Sequence, residues 1–154
     1  MTKDVLITIS GSQVIDGEAG EIEMITIGDY YQKNGKHYVR YEEVMEGFDG
    51  VIKNTIKIWP DCMDIMKTGL TDVHMRFEKG QKRLARYLTP MGEMLVGLDT
   101  KEISLDETDD SLKVQVRYLL DIDDAHISEC NITVDIQSRS QAHMDLHPPE
   151  GIVS

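Results

Sequence analysis

Apolar residues recur at every second position in short runs from about Val5 to about Gln137, and no stretch sustains a helical period. Two neighbouring runs show it best. Leu112, Val114, Val116, Tyr118, Leu120 and Ile122 share one parity, with Lys113, Gln115, Arg117 and Asp121 on the other. Cys130, Ile132, Val134 and Ile136 then alternate with Asn131, Thr133, Asp135 and Gln137. Side chains on a strand point to opposite faces in turn, so each run has one dry face and one wet face. The pattern predicts about ten strands, over 4–10, 21–33, 36–43, 51–59, 63–68, 71–77, 82–88, 93–105, 111–122 and 125–137. The links between them are short and polar, which joins sequence neighbours antiparallel.

One hairpin is legible residue by residue. Asn34-Gly35 between two strand-like runs is the strongest short signal for a two-residue type I′ turn. Pairing partners around it sum to 69, so Tyr31 faces Tyr38, Asp29 faces Arg40, Tyr30 faces Val39 and Gly28 faces Tyr41. The Asp29, Lys33, Lys36, Arg40 and Glu42 face is wet, which turns Tyr30, Val39, Tyr41 and Glu43 inward. The run at 93–105 changes phase, from even Met94, Val96 and Leu98 to odd Ile103 and Leu105. A one-residue shift of this kind is a β-bulge, expected between Asp99 and Glu102. The expectation is an all-β protein: a single antiparallel meander β-barrel of about eight to ten strands over residues 1–138. A flexible, polar C-terminal tail follows over 139–154.

Composition narrows the function classes. The 154 residues carry a formal net charge of −12, which disfavours nucleic acid and anionic membrane as partners. No signal-peptide pattern or apolar stretch of spanning length is present, and Cys62 and Cys130 lack metal-type spacing. A cytoplasmic location with two reduced thiols is the expectation.

Few residues point to chemistry. His143 and His147 have i, i+4 spacing, but Pro148 and the polar setting argue against a helical metal site. The acidic turns at 106–110 and 121–124 lack a calcium loop's glycine and closing glutamate. Ser10-Gly11-Ser12 has no helix after it, so it is no hydrolase elbow, and phosphate-cradling glycine loops are absent. Neither a catalytic set nor a metal site nor a cofactor is expected. Two groupings remain. Inward Tyr30, Tyr41 and Glu43, with Met75 and Tyr118, would line a cavity in the barrel, or pack as core. Arg76, Lys79, Lys82, Arg83 and Arg86 stand against one acid, Glu78. They would form a basic patch for a protein partner, or a solvated edge guarded by charge.

Several segments together resemble a family. The run Tyr30-Tyr31-Gln32-Lys33-Asn34-Gly35-Lys36-His37-Tyr38-Val39-Arg40-Tyr41-Glu42-Glu43 is similar to the YwiB-like proteins, small bacterial proteins of uncharacterised function. Asn54-Thr55-Ile56-Lys57-Ile58, Met66-Lys67-Thr68-Gly69, Met75-Arg76-Phe77, Tyr87-Leu88-Thr89-Pro90-Met91-Gly92 and Thr100 continue the pattern in order. The resemblance implies a calycin-like barrel, related in architecture to lipocalins, and carries no catalytic residues. Thr55 and Lys57 belong to that pattern yet fall opposite the apolar Ile52, Ile56 and Ile58. Either they act on the outer face or a bulge turns them inward. The leading expectation is a non-enzymatic protein that binds a small, partly apolar or amphipathic ligand in the barrel interior. The alternatives are an interaction module with a filled barrel that uses the Arg76–Arg86 segment, and an enzyme with its site in the cavity.

Overall fold

The computed structural model describes residues 1–15, 18–123 and 125–139. Ten antiparallel strands form one sheet: β1 (Asp4–Ile15), β2 (Glu18–Lys33), β3 (Lys36–Glu43), β4 (Ile52–Trp59), β5 (Cys62–Gly69), β6 (Val73–Glu78), β7 (Lys82–Thr89), β8 (Gly92–Glu107), β9 (Ser111–Ile122) and β10 (Ala125–Ser138). The order β6-β5-β4-β3-β2-β1-β10-β9-β8-β7 is a meander, and pairing of β1 with β10 bends it into a nearly closed barrel. Between β6 and β7 the wall is held at its ends. Asp72 and Leu88 exchange two backbone bonds of 2.9 Å, and Gly80 and Gln81 bond to Thr100. The expected flexible tail and the His143/His147 pair lie, beyond Arg139, outside the described residues.

The expected parity holds along the strands that build the core. Val5, Ile7, Val39, Ile56, Ile58, Met63, Phe77, Leu98, Leu112, Val114, Val116, Val134 and Ile136 turn inward and are essentially inaccessible to water. Phe77 packs edge-on against Tyr118 with ring centroids 4.9 Å apart, which fills the middle of the barrel. Such a pair contributes about 1 kcal/mol beyond the area it buries. A barrel of this girth is just wide enough for side chains to fill, and around Phe77 they do. Toward the Ile9 end a partly open pocket of about 340 Å³ is lined by the inward Ile9, Tyr118, Leu120, Cys130 and Ile132.

The Asn-Gly hairpin follows the expected register, from Asp29↔Arg40 through Tyr31↔Tyr38 to Lys33↔Lys36, with Asn34 and Gly35 both at positive φ. The phase change in β8 is a register shift between Thr100 and Glu102. Thr55 and Lys57 stay in uninterrupted register on β4, so they lie on the outer face and no bulge moves them.

One expected pair does not form. The β2–β3 ladder ends at Asp29↔Arg40, and Gly28 does not pair with Tyr41. From there β2 continues only with β1, as far as Ile15↔Glu18. The reason is a close approach at Gly28. A Cβ there would sit on the Arg40 carbonyl oxygen and 2.7 Å from Ile7 Cδ1. The backbones cross so tightly at that point that the strands then diverge. β1 is accordingly longer than its apolar run predicts, because pairing to β2 on one edge and β10 on the other carries it through the polar Ser10–Gln13 stretch.

Gly28→Ala is therefore expected to cost about 2–3 kcal/mol through overpacking against backbone that cannot move aside. Gly20→Ala, where nothing lies within 4 Å of the added carbon, should be close to neutral. Urea midpoints of the two variants, compared at equal m, check this.

Candidate functional site

The five residues expected inside the barrel all turn inward, but they do not meet in one cavity. Tyr30 lies in the core with its hydroxyl 2.7 Å from His37 Nδ1, and the other nitrogen of that imidazole is 3.5 Å from Glu107. Tyr118 is held under Phe77 and hydrogen-bonded to Cys130. Tyr41 and Glu43 lie close together at the end of β3 away from His37, with Tyr87 beside them, while Met75 packs against Val73, Ala85 and Val96.

That end is polar. Glu43 ends β3, Asn54 stands opposite Tyr41 on β4, and Lys67 stands opposite Asn54 on β5. Asn54 Nδ2 donates to Glu43 Oε1 at 2.8 Å, and Lys67 Nζ donates to the same oxygen at 3.0 Å and to Asn54 Oδ1 at 2.7 Å. Asn54 is buried and would be costly without these bonds. The inward carboxylate is thus paired with a base on the same face. Neither Asn54 nor Lys67 stood out among the alternating residues, since their roles depend on a register across three strands. Tyr87, half-buried on β7, also lies near Glu43. Burial, with Glu43 adding, raises the Tyr41 and Tyr87 hydroxyls above their ordinary 10.0, so both stay protonated donors. Val73, Ala85 and Val96 form a small apolar floor, with Met75, Tyr87 and Leu120 against it.

Beside this end lies the split left where β2 departs from β3. It is a surface cleft of about 640 Å³, lined by Ile27, Gly28 and Asp29 on one wall and Arg40, Tyr41 and Glu42 on the other. Lys53, Asn54 and Thr55 make its floor. The β2 arm beyond the split is apolar and exposed. Ile22, Ile25 and Ile27 are 76%, 56% and 53% accessible.

The outer face of β2 to β6 is ordered very differently. Tyr31, Tyr38, Lys57, Asp64 and Arg76 stand in one line across five strands. Tyr31 and Tyr38 stack at 4.7 Å with Arg40 over the Tyr31 ring and Lys57 over the Tyr38 ring. Trp59 has Lys36, Lys57 and Arg76 around it at 4.7–5.5 Å. Arg76 grips Asp64 through two bonds of 2.7 and 2.9 Å, and that carboxylate is only 3% accessible. This is the place of Lys57: a cation between rings. The ring faces are already occupied by neighbours, so the line closes the outer surface and leaves no stacking platform.

The basic segment is neutralised. Arg76 pairs with Asp64, Lys79 with Glu102, Lys82 with Asp121, Arg83 with Glu78 and Arg86 with Glu93. The partners come from neighbouring strands and from Glu78, so each cation of the segment has an acid within 4.0 Å that, Glu78 apart, the local sequence does not reveal. Among the described residues no group of His, Cys, Asp and Glu is placed to hold a metal, and no helix is long and apolar enough to cross a membrane.

Buried hydroxyls and thiols give a pH dependence with a definite sign. Burial, the largest cause at each, raises Tyr41, Tyr118, Cys62 and Cys130 above their ordinary 10.0 and 9.0. The folded chain keeps protons that the unfolded chain releases. Stability is therefore full below about pH 9 and falls as pH rises, by up to about 1.4 kcal/mol per unit for each group. Urea midpoints from pH 7 to 11 should be flat and then decline, with a shallower decline in Tyr118→Phe. An identical slope in that variant would remove Tyr118 from the explanation.

Comparison with known proteins agrees with this architecture. A relative from Bacillus subtilis (strain 168), described as an uncharacterized beta-barrel protein, YwiB, is 28% identical over 144 residues, spanning 92% of this chain and 100% of its own. The crystal structure of the ywiB protein from Bacillus subtilis superposes with a TM-score of 0.68 at 28% identity, covering 88% of this chain and 94% of that one. The model of a domain of unknown function, DUF1934, matches residues 7–134. With a barrel of the same build and a match across most of its length, the chain belongs to the DUF1934 family.

Proposed function

We propose that this protein is a non-enzymatic interaction module, a β-barrel that holds a segment of a partner protein where β2 leaves β3. One observation carries the reading. The β2 arm is an unpaired sheet edge with Ile25 and Ile27 exposed beside a cleft of about 640 Å³. The packed middle of the barrel supports it, because the buried Phe77, Met63 and Leu98, with Tyr118 against Phe77, leave the pocket beside Ile9 and Cys130 at about 340 Å³, roughly half the volume of the cleft on β2. The paired state of Arg76, Lys79, Lys82, Arg83 and Arg86 leaves that segment less free charge for a partner, which supports a contact on β2 instead. Contiguous exposed aliphatic side chains beside a groove are a common mark of protein recognition.

Photo-crosslinking tests the reading in cells that make the protein. With p-benzoylphenylalanine at position 27, a discrete adduct is expected that is missing when the probe replaces Lys113, exposed on the outer face of β9. Equal adducts at both positions, or none at 27, would overturn it.

The polar cluster favours a second reading, a small ligand seated beside Glu43. Tyr41 and Tyr87 approach Glu43 above the floor of Val73, Ala85 and Val96, which places convergent polar groups over an apolar base. A mass in native mass spectrometry above that of the chain, lost in Lys67→Met, would favour this ligand. The module reading expects the bare chain mass.

A further inference from the structure

Resting on that reading, we infer that β2 takes an extended segment of a different protein as an added antiparallel strand, with aliphatic residues in its first half and basic residues in its second. Tyr30 N–H bonds to Lys3 O, so even-numbered residues of β2 turn their N–H and C=O toward β1. Odd-numbered residues turn theirs away. Asp29, Tyr31 and Lys33 spend these groups on β3. Glu21, Glu23, Ile25 and Ile27 have no such neighbour, and among the described residues nothing bonds to their outward backbone groups. Four residues in a row thus present a free ladder.

Proteins usually guard an edge of this length with charged side chains, lysine above all, with proline, a bulge or a covering loop. Here Glu21 and Glu23 charge one half of the edge, and Ile25 and Ile27 leave the other half apolar. Between Glu18 and Gly28 there is no lysine and no proline, and the register with β1 runs without a break. The cleft leaves room along the inner end of the edge, and the crossing at Gly28 closes it there. A guest strand therefore spans Glu21 to Ile27, seven residues or about 23 Å at strand rise.

The side chains set its chemistry. Glu21, Glu23, Ile25 and Ile27 point to the outer face, two acids followed by two exposed aliphatics. Cross-strand neighbours on one face interact directly, and opposite charges or two aliphatics are the favourable pairs. An antiparallel guest, the more stable ladder, meets Ile27 and Ile25 first and Glu23 and Glu21 last. Its facing residues are thus aliphatic, aliphatic, basic, basic, each separated by one residue.

A second copy of this chain fits poorly. Residues 18–29 hold four acids and no base, and each chain carries −12. Two-fold pairing about Glu23 sets Glu23 against itself, and pairing about Ile25 sets Glu21 against Asp29. Pairing about Met24 spares those contacts but leaves carboxylates facing isoleucines.

The probe is a fluorescein-labelled heptapeptide, Ile-Thr-Val-Thr-Lys-Thr-Lys, titrated with the full chain and read by anisotropy. Ile25→Pro removes only an outward N–H, which proline tolerates on an edge, so the protein should fold with a near-unchanged melting point. Affinity should fall at least tenfold. Should that variant fail to fold, the charge swap decides. Glu21→Lys with Glu23→Lys should lose at least tenfold with this peptide and regain it with glutamates in place of the two lysines. Folded Ile25→Pro that binds as well as the parent, or affinity indifferent to the swap, would overturn strand addition. So would a dimer of the parent chain that Ile25→Pro converts to monomer, because the occupant would then be a second copy. A crosslink at position 27 that survives Ile25→Pro refutes strand addition while leaving the interaction surface standing. A crosslink missing from the parent chain refutes the surface itself.

Discussion

The barrel depends on the pairing of β1 with β10, which joins the two ends of the meander over ten residue pairs from Val5↔Ser138 to Val14↔Glu129. Every other long ladder links sequence neighbours and would form in a flat sheet. A flat sheet of ten strands leaves its apolar face wet, whereas closure sets Ile7, Val134 and Ile136 against Val39, Ile56 and Leu98 in one core. The pairing spans more than a hundred residues, so its loop-closure cost falls due before the core rewards it. β1 is suited to this place: it is bonded on both edges, with aliphatics inward and Thr8, Ser10 and Ser12 outward.

Closure also sets where polar groups must be managed. Inside, Asn54 and Lys67 meet Glu43 near the end of β3, and His37 meets Tyr30 near its start. Outside, Asp64 would be a buried charge without Arg76, and Trp59, Tyr38 and Tyr31 would be exposed rings without the cations between them. Breaking a buried pair by removing one partner is far more costly than the pair is favourable, so this line of residues acts as a unit. With it in place, the outer face of β2 to β6 is finished surface. The places left unfinished are the β2 arm and the split beside it, where the ladder is interrupted and aliphatics stay in water. That contrast, rather than any catalytic set, directs attention to binding.

The fold was legible to a high degree, and the reasons are local. Alternation marks strands because a side chain's face depends only on parity. Asn34-Gly35 sets a register because a two-residue turn leaves no slack, and the phase change at Asp99–Glu102 marks a corner because one extra residue inverts every later face. Tyr30, Val39, Tyr41 and Tyr118 were read as inward on that basis and are buried. The candidate site was less legible. Lys67 lies twenty-four residues from Glu43, and only pairing across β3, β4 and β5 brings them together. The acids that neutralise Arg76 and Lys82 likewise come from other strands.

By itself the sequence determined the number, order and faces of the strands and one hairpin's register, since these follow from periods and turns within a few residues. Tertiary structure alone decided that Phe77 meets Tyr118 in the middle of the barrel, that the basic segment is paired, and that β2 abandons β3 at Gly28. Each of those turns on how close two backbones come, or on which side chain lies across a ladder. Such distances are set by the closed barrel as a whole, and no run of neighbouring residues encodes them.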